Sequence, residues 1–251
     1  MIPFPVGIPV GRFRLPPHLV FEALGYAAGF QLLRVLRRRI GDPIPMVSRY
    51  AAHAGAALGA VAGSKLLYLL EVPADTLAHL SDPVWLMGGK SIVDGLLGGV
   101  LGVEIAKKIV GERRSTGDLF VFPLCLGMAI GRVGCFLSGL PDRTHGVATD
   151  LPWGVDFGDG VPRHPTQLYE IAFLGALAVL CACLRPRMER PGDLFRAFMI
   201  LYLSFRLLVD AIKPDRGTYL GLTGIQAACV LGLLYYGRDI RRVLAPRANI
   251  P

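Results

Sequence analysis

The sequence predicts an all-α, polytopic integral membrane protein: one transmembrane domain over residues 1–251, a bundle of about seven transmembrane helices with the N-terminus outside and the C-terminus cytoplasmic. Three observations predict it. Of the 251 residues 53% are hydrophobic and only 18% charged, and the mean hydropathy of +0.48 exceeds what a soluble domain of this size needs. Apolar runs close to the roughly 20 residues that cross about 30 Å of hydrocarbon recur along the chain. Lysine and arginine crowd alternate connections between those runs.

In order, the runs are His18 to Leu36, Val47 to Leu70, Trp85 to Val110, Leu119 to Leu140, Gln167 to Leu184, Leu194 to Ile212 and Leu220 to Tyr236. The fifth and seventh are short, and the third is Gly-rich and holds Lys90 and Asp94. After the first, third, fifth and seventh runs come Arg34, Arg37, Arg38, Arg39 and Arg49; Lys107, Lys108, Arg113 and Arg114; Arg185, Arg187, Arg190 and Arg196; and Arg238, Arg241, Arg242 and Arg247. The N-terminal segment and the other connections hold only Arg12, Arg14, Arg143, Arg163, Lys213 and Arg216. The positive-inside rule then makes the loop at about 141–166 extracytoplasmic. The acidic connection EVPADTLAHLSDP, with no basic residue, agrees with that orientation.

The leading MIPFPVGIPVGRFRLPP lacks the basic-then-apolar order of a cleavable signal peptide and reads as an extended or interfacial lead-in. The net charge of +8 and a pI near 9.5 reflect cytoplasmic loops, so no nucleic-acid partner is expected. Cys125, Cys135, Cys181, Cys183 and Cys229 all lie in apolar runs, and Cys181-Ala-Cys183 lacks metal-ligand spacing. Neither a disulfide framework nor zinc or any other metal or cofactor is expected. Cys135 reads as a small polarizable packing residue.

Small residues are spaced for close helix contact: Ala56, Gly59, Ala60 and Gly63 in the second run, and Gly95, Gly98, Gly99 and Gly102 in the third. Polar chemistry concentrates between Gly131 and Glu170, a stretch with an arginine in an apolar run, His145, His164, and the aspartates Asp142, Asp150, Asp156 and Asp159. Those aspartates do not follow the spacing of an EF-hand loop and read as a solvated Gly-Asp turn.

Glu22, Lys65, Lys90, Asp94, Arg132, Arg206 and Asp210 sit within or at the ends of apolar runs, where each costs a few kcal/mol unless it faces a cavity or a partner. Arg206 has Asp210 one turn on, in a pair expected to be solvated and weak near a polar helix end. Arg132 has no acid within four residues. The cations outnumber the acids, so the set wants an anion, and arginine binds phosphate bidentately. In a bilayer that anion is the headgroup of a membrane lipid.

GRVGCFLSG at 131–139, LPWGVDF at 151–157, RHPTQLYE at 163–170 and YLSFRLLVDAIKPD at 202–215 resemble the ordered blocks of bacterial prolipoprotein diacylglyceryl transferase. Weaker matches at Gly29-Phe30, Gly63-Ser64-Lys65, Gly88-Gly89 and Gly95 to Gly98 extend the resemblance over nearly the whole chain. It implies the same seven-span, N-out topology and a multi-pass location in the bacterial cytoplasmic (inner) membrane. The implied substrates are phosphatidylglycerol and the lipobox cysteine of a prolipoprotein signal peptide, with glycerol phosphate released. Carried over by position, Arg132 and Arg206 grip the headgroup and Tyr202 shares the face of Arg206. Gly131, Gly134, Ser138, Gly139, Lys65, Lys90 and His164 complete the implied substrate site, although prolines on both sides also suit His164 to a structural turn. The chain departs from the family where Val93-Asp94 replaces a His-Gly pair, where Glu22 stands for a tyrosine, and where Cys135 stands for a frequent asparagine.

The implied reaction is displacement at the glycerol carbon that carries the phosphate, by a thiolate. Arginines stabilise the leaving phosphate, and a thiol of pKa about 8.5 has to lose its proton. Asp94, Glu22 and His145 are the candidate bases, Asp94 and Glu22 being preferred. Two alternatives stay open: a same-fold transferase with a non-protein acceptor, and a non-catalytic phospholipid-binding or transport protein.

Overall fold

The computed structural model describes residues 4–41, 44–71, 79, 81–82, 91–214 and 221–244. Among them it is mostly helical, with helices α1 (Pro17–Ile40), α2 (Met46–Glu71), α3 (Ile92–Ile109), α4 (Val121–Ser138), α5 (Thr166–Leu184), α6 (Asp193–Asp210), α7 (Gly224–Tyr236) and the short α8 (Ile240–Leu244). Each of the seven apolar runs overlaps one of the first seven. Three stretches, Pro17–Ile40, Gly117–Ser138 and Thr166–Arg187, are long and apolar enough to cross a membrane, which makes this a membrane protein. Three of the other helices fall short for visible reasons. α3 carries Asp94, Glu104, Lys107 and Lys108, α6 carries Asp193, Arg196, Arg206 and Asp210, and α7 has 13 residues.

Helix ends follow local chemistry. Pro17 occupies the first position of α1, where its missing N–H costs nothing. The Thr223 hydroxyl accepts from the backbone of Gln226 while Gln226 reaches back to Thr223, a capping box that starts α7. The start of α6 is capped from afar, the Asp118 carboxylate accepting from the backbone of Gly192 and Phe195 at 2.6 and 2.9 Å.

Two helix pairs set the packing, α2 on α3 and α1 on α4, with α5, α6 and α7 completing the bundle. The expected small-residue seam is present between α2 and α3: a Cβ on Gly59 would sit 2.2 Å from the Gly98 carbonyl, and one on Gly102 2.1 Å from that of Gly55. Gly55 was not part of the expected pattern. α1 meets α4 the same way, Gly25 against the carbonyl of Gly127 and Gly29 against that of Pro123. The core of Val121, Leu174, Leu177, Phe198, Met199 and Leu203 also buries Val93 completely. Leu58, Leu101, Leu208, Leu231 and Leu234 face outward with more than half of their surface exposed, as the flanks of a lipid-embedded bundle should.

The lead-in is partly ordered rather than simply extended. Strands β1 (Ile8–Val10) and β2 (Phe13–Leu15) form a hairpin, the Val6 amide donates to the Leu137 carbonyl, and Phe4 packs on Phe136 and Phe157. The loop between α4 and α5 carries the small β3–β4 pair (Val155–Asp156 with Pro162–Arg163). Its Asp156 carboxylate accepts from the amides of Gly158, Asp159 and Gly160, so the Gly-Asp turn is as expected. Outside the membrane helices, Arg163 grips Asp159 at 2.6 Å and holds that carboxyl below its ordinary value.

Candidate active site

Three helices deliver one buried ionic cradle. α4 supplies Arg132, α5 supplies Glu170 in its second turn, and α6 supplies Tyr202 and Arg206 one turn apart on its core face. Arg132 Nε and Arg206 Nη1 approach the same oxygen, Glu170 Oε2, at 2.8 and 3.2 Å, while the Tyr202 hydroxyl donates to Glu170 Oε1 at 2.7 Å. The side chains of Arg132, Glu170 and Arg206 expose only 6, 2 and 3% of their surface. The expectation that Arg132 lacks an acid is thus corrected: its acid comes from a different helix, beyond any reading of local spacing. Glu170 went unassigned in the sequence although it ends RHPTQLYE, and an acid just inside an apolar run was the signal.

Arg206 and Asp210 are also corrected. Both are buried, not solvated, and stand 4.0 Å apart, and the Thr223 hydroxyl of the α7 cap donates to Asp210. In the turn after α6, burial and then the neighbouring Arg206 and Arg132 push the Lys213 ammonium well below its ordinary value. Two guanidiniums share one carboxylate in a dry place, with Asp210 4.0 Å from Arg206, and they keep guanidinium N–H groups to spare. Such a cradle suits an anion.

A second polar cluster adjoins it where α1 begins and α4 ends. Cys135, one turn after Arg132, lies 3.8 Å from Arg132 Nη1 and 3.6 Å from His18 Nδ1. His18 Nδ1 is 2.8 Å from Asp142 Oδ1, and its Nε2 is 3.6 Å from Glu22 Oε2. The Thr144 hydroxyl donates to Asp142 Oδ2 at 2.7 Å, and Gln167 of α5 donates to that hydroxyl. Burial opposes ionisation of Asp142, yet the bonds from His18 and Thr144 keep its carboxyl below its ordinary value. The backbone turns sharply just beyond, at Arg143, the one non-glycine with positive φ among the described residues. Asp142, expected in a solvated turn, is corrected, its side chain being only 10% exposed and paired with His18, and spacing had no means of finding His18, which lies 117 residues from Cys135.

The remaining assignments separate. Glu22 reaches the cradle through His18 and Cys135. Asp94 is buried on α3, which packs on α2 and α7, and Lys65 lies on α2. Lys90 lies outside the described residues. Ser138 Oγ accepts from the His18 amide at 3.2 Å and donates to the Gly134 carbonyl, tying α1 to α4. A Cβ on Gly134 would come within 2.7 Å of Phe21, so this glycine permits the helices to touch. Gly139, at φ 66°, ends α4, and Gly131 has open space beside it. His164 Nδ1 lies 3.1 Å from the Tyr169 hydroxyl, which accepts from Trp153, and its backbone pairs with Gly146 and Val147. Those contacts give His164 a loop-holding task. His145 Nδ1 is 3.0 Å from the Gly146 carbonyl.

The family model described as prolipoprotein diacylglyceryl transferase matches residues 5–237, which takes in both clusters. This chain belongs to the prolipoprotein diacylglyceryl transferase family. It is 32% identical over 224 residues to the phosphatidylglycerol–prolipoprotein diacylglyceryl transferase of Geobacter sulfurreducens, covering 84% of this chain and 83% of the relative. With the like-named protein of Bordetella bronchiseptica it shares 35% identity over 241 residues, 88% of each chain. In this chain position 93 is a fully buried valine, and Glu22, Cys135 and Asp142 gather around His18.

Proposed function

We propose that the chain transfers the diacylglyceryl group of phosphatidylglycerol to the lipobox cysteine of a prolipoprotein signal peptide, releasing glycerol phosphate. It does so as a seven-span, N-out protein of the bacterial cytoplasmic membrane, with the 141–166 loop on the outer side. One observation carries the site assignment: Arg132 and Arg206, far apart in sequence, share Glu170 in a buried cradle with guanidinium N–H groups left over. A headgroup phosphate there accepts from the guanidinium N–H groups that Glu170 leaves over. As the carbon–oxygen bond to phosphate breaks, the growing negative charge meets guanidiniums already fixed by Glu170 and Tyr202, so little reorganisation is needed. Glu22, in contact with the His18 cluster, is better placed than Asp94 to assist at the acceptor thiol.

The test uses the full-length protein in phosphatidylglycerol vesicles with a lipobox peptide, and mass spectrometry of the peptide cysteine. The expected product is the diacylglyceryl thioether. Arg132→Lys and Arg206→Lys keep the charge but lose the planar fork, and each should lower kcat/KM by roughly a hundredfold or more. Phosphatidylglycerol should raise the Tm of the parent more than that of Arg132→Gln or Arg206→Gln. Equal lipid-dependent stabilisation in all three proteins would remove the headgroup assignment, and absence of any thioether would remove the transferase reading.

A further inference from the structure

Donors from three distant positions converge beside the cradle. His18 Nδ1, Cys135 Sγ and one Asp142 carboxylate oxygen all lie within 4.8 Å of one another. Zinc bonds of about 2.0–2.2 Å to nitrogen and oxygen and 2.3 Å to sulfur, at tetrahedral angles, separate nitrogen from sulfur by roughly 3.6 Å and nitrogen from oxygen by roughly 3.4 Å. The His18–Cys135 separation is 3.6 Å, and the His18–Asp142 contact of 2.8 Å has only to open slightly. Behind these ligands stand the groups that orient metal ligands elsewhere: Glu22 faces the second nitrogen of His18, and Thr144 donates to the second oxygen of Asp142. Cys135 is buried, whereas the His18 side chain is 44% exposed, so the cluster is closed on the protein side and open on the other.

We infer that His18, Cys135 and Asp142 form a site for a zinc-class divalent cation whose fourth position takes the acceptor thiol. This rests on the transferase reading above. Three protein ligands with one open position are the pattern of catalytic rather than structural zinc. A thiol that coordinates zinc is deprotonated outright, its proton passing to water, and Cys135 loses its own proton when the ion binds. The bound thiolate attacks the glycerol carbon of the lipid. A sulfur–carbon bond forms as the carbon–oxygen bond to phosphate breaks, and the electron pair leaves on the glycerol phosphate oxygen. No redox change occurs. Arg132 Nη1 lies 3.8 Å from Cys135 Sγ, so acceptor and headgroup sites share a wall. The metal does the work of a side-chain base.

The test takes the full-length protein, strips it with a chelator and reloads it with Zn²⁺ or Co²⁺ alone. The parent should bind about one zinc per chain by elemental analysis, and its cobalt form should show a thiolate-to-metal absorption band. Cys135→Ser and Asp142→Asn should lose the zinc, and Cys135→Ser the cobalt band, while both keep a cooperative melt that phosphatidylglycerol raises. Glu22→Gln should weaken zinc binding roughly ten- to a hundredfold. In the vesicle assay, chelation should stop thioether formation and Zn²⁺ restore it. A parent that binds no zinc, a Cys135→Ser that binds it as tightly, or a stripped parent that turns over at the loaded rate each overturns the metal site and leaves the transferase reading standing. No transfer by either stripped or loaded parent sinks the transferase reading instead, and the elemental and cobalt measurements still decide whether the ion binds.

Discussion

The Arg132–Glu170–Arg206 cradle and the His18–Cys135–Asp142 cluster touch through a single contact, yet they are built on opposite principles. The cradle is held by three facing helices, is closed to solvent, and both oxygens of Glu170 are taken. The cluster joins the first turn of one helix, the last turn of another and a loop, and one face of it is open. Charge that must be stabilised in a dry place needs rigid surroundings, because the protein cannot lean on water. A group that must admit a second substrate needs an open side.

The sharpest way to break this contrast is Glu170→Gln, which takes away the carboxylate that the two guanidiniums share. Stability should fall by roughly 3–5 kcal/mol, read from thermal or denaturant unfolding. Added phosphatidylglycerol should recover more of the Tm in this variant than in the parent; a variant as stable as the parent would mean that the cradle is not rigidly ionic. Tyr202→Phe should be milder, about 1.5–3 kcal/mol, since one hydrogen bond to a charged acceptor is lost in a buried place. In metal-free buffer Asp142→Asn should cost only about 1 kcal/mol, because asparagine keeps an acceptor for Thr144 and water reaches His18. A loss equal to that of Glu170→Gln would erase the distinction between the two regions.

The smallest effect belongs to the exposed loop. Asp159 is held below its ordinary value by Arg163, so its stabilisation is present above the unfolded-state value near pH 4 and disappears as pH falls through the lower folded value. Asp159→Asn should therefore leave the dependence of Tm on pH unchanged between pH 5 and 8 and flatten it slightly only in the acid range. A parent–variant difference that varies across neutral pH would contradict this assignment.

Residues that determine an element through their neighbours in sequence were readable from the chain alone. The apolar runs marked where helices form, the glycine spacing marked the α2–α3 seam, and the arginines at 132 and 206 stood out as charges in need of a partner, because a charge in hydrocarbon carries the same cost wherever its partner lies. The resemblance of four motif blocks placed the chain in its family, as the match over residues 5–237 bears out. Only the tertiary structure decided who pairs with whom. Glu170 answers Arg132 from another helix, Asp210 turns inward to the α7 cap, and His18 meets Asp142 across a helix and a loop. Each of those pairings depends on how helices are set against one another. Hydropathy specifies that faces will be buried, whereas the relative rotation and offset of packed helices, which close glycine contacts such as Gly134 against Phe21 permit, specify which charged atoms come within 3 Å.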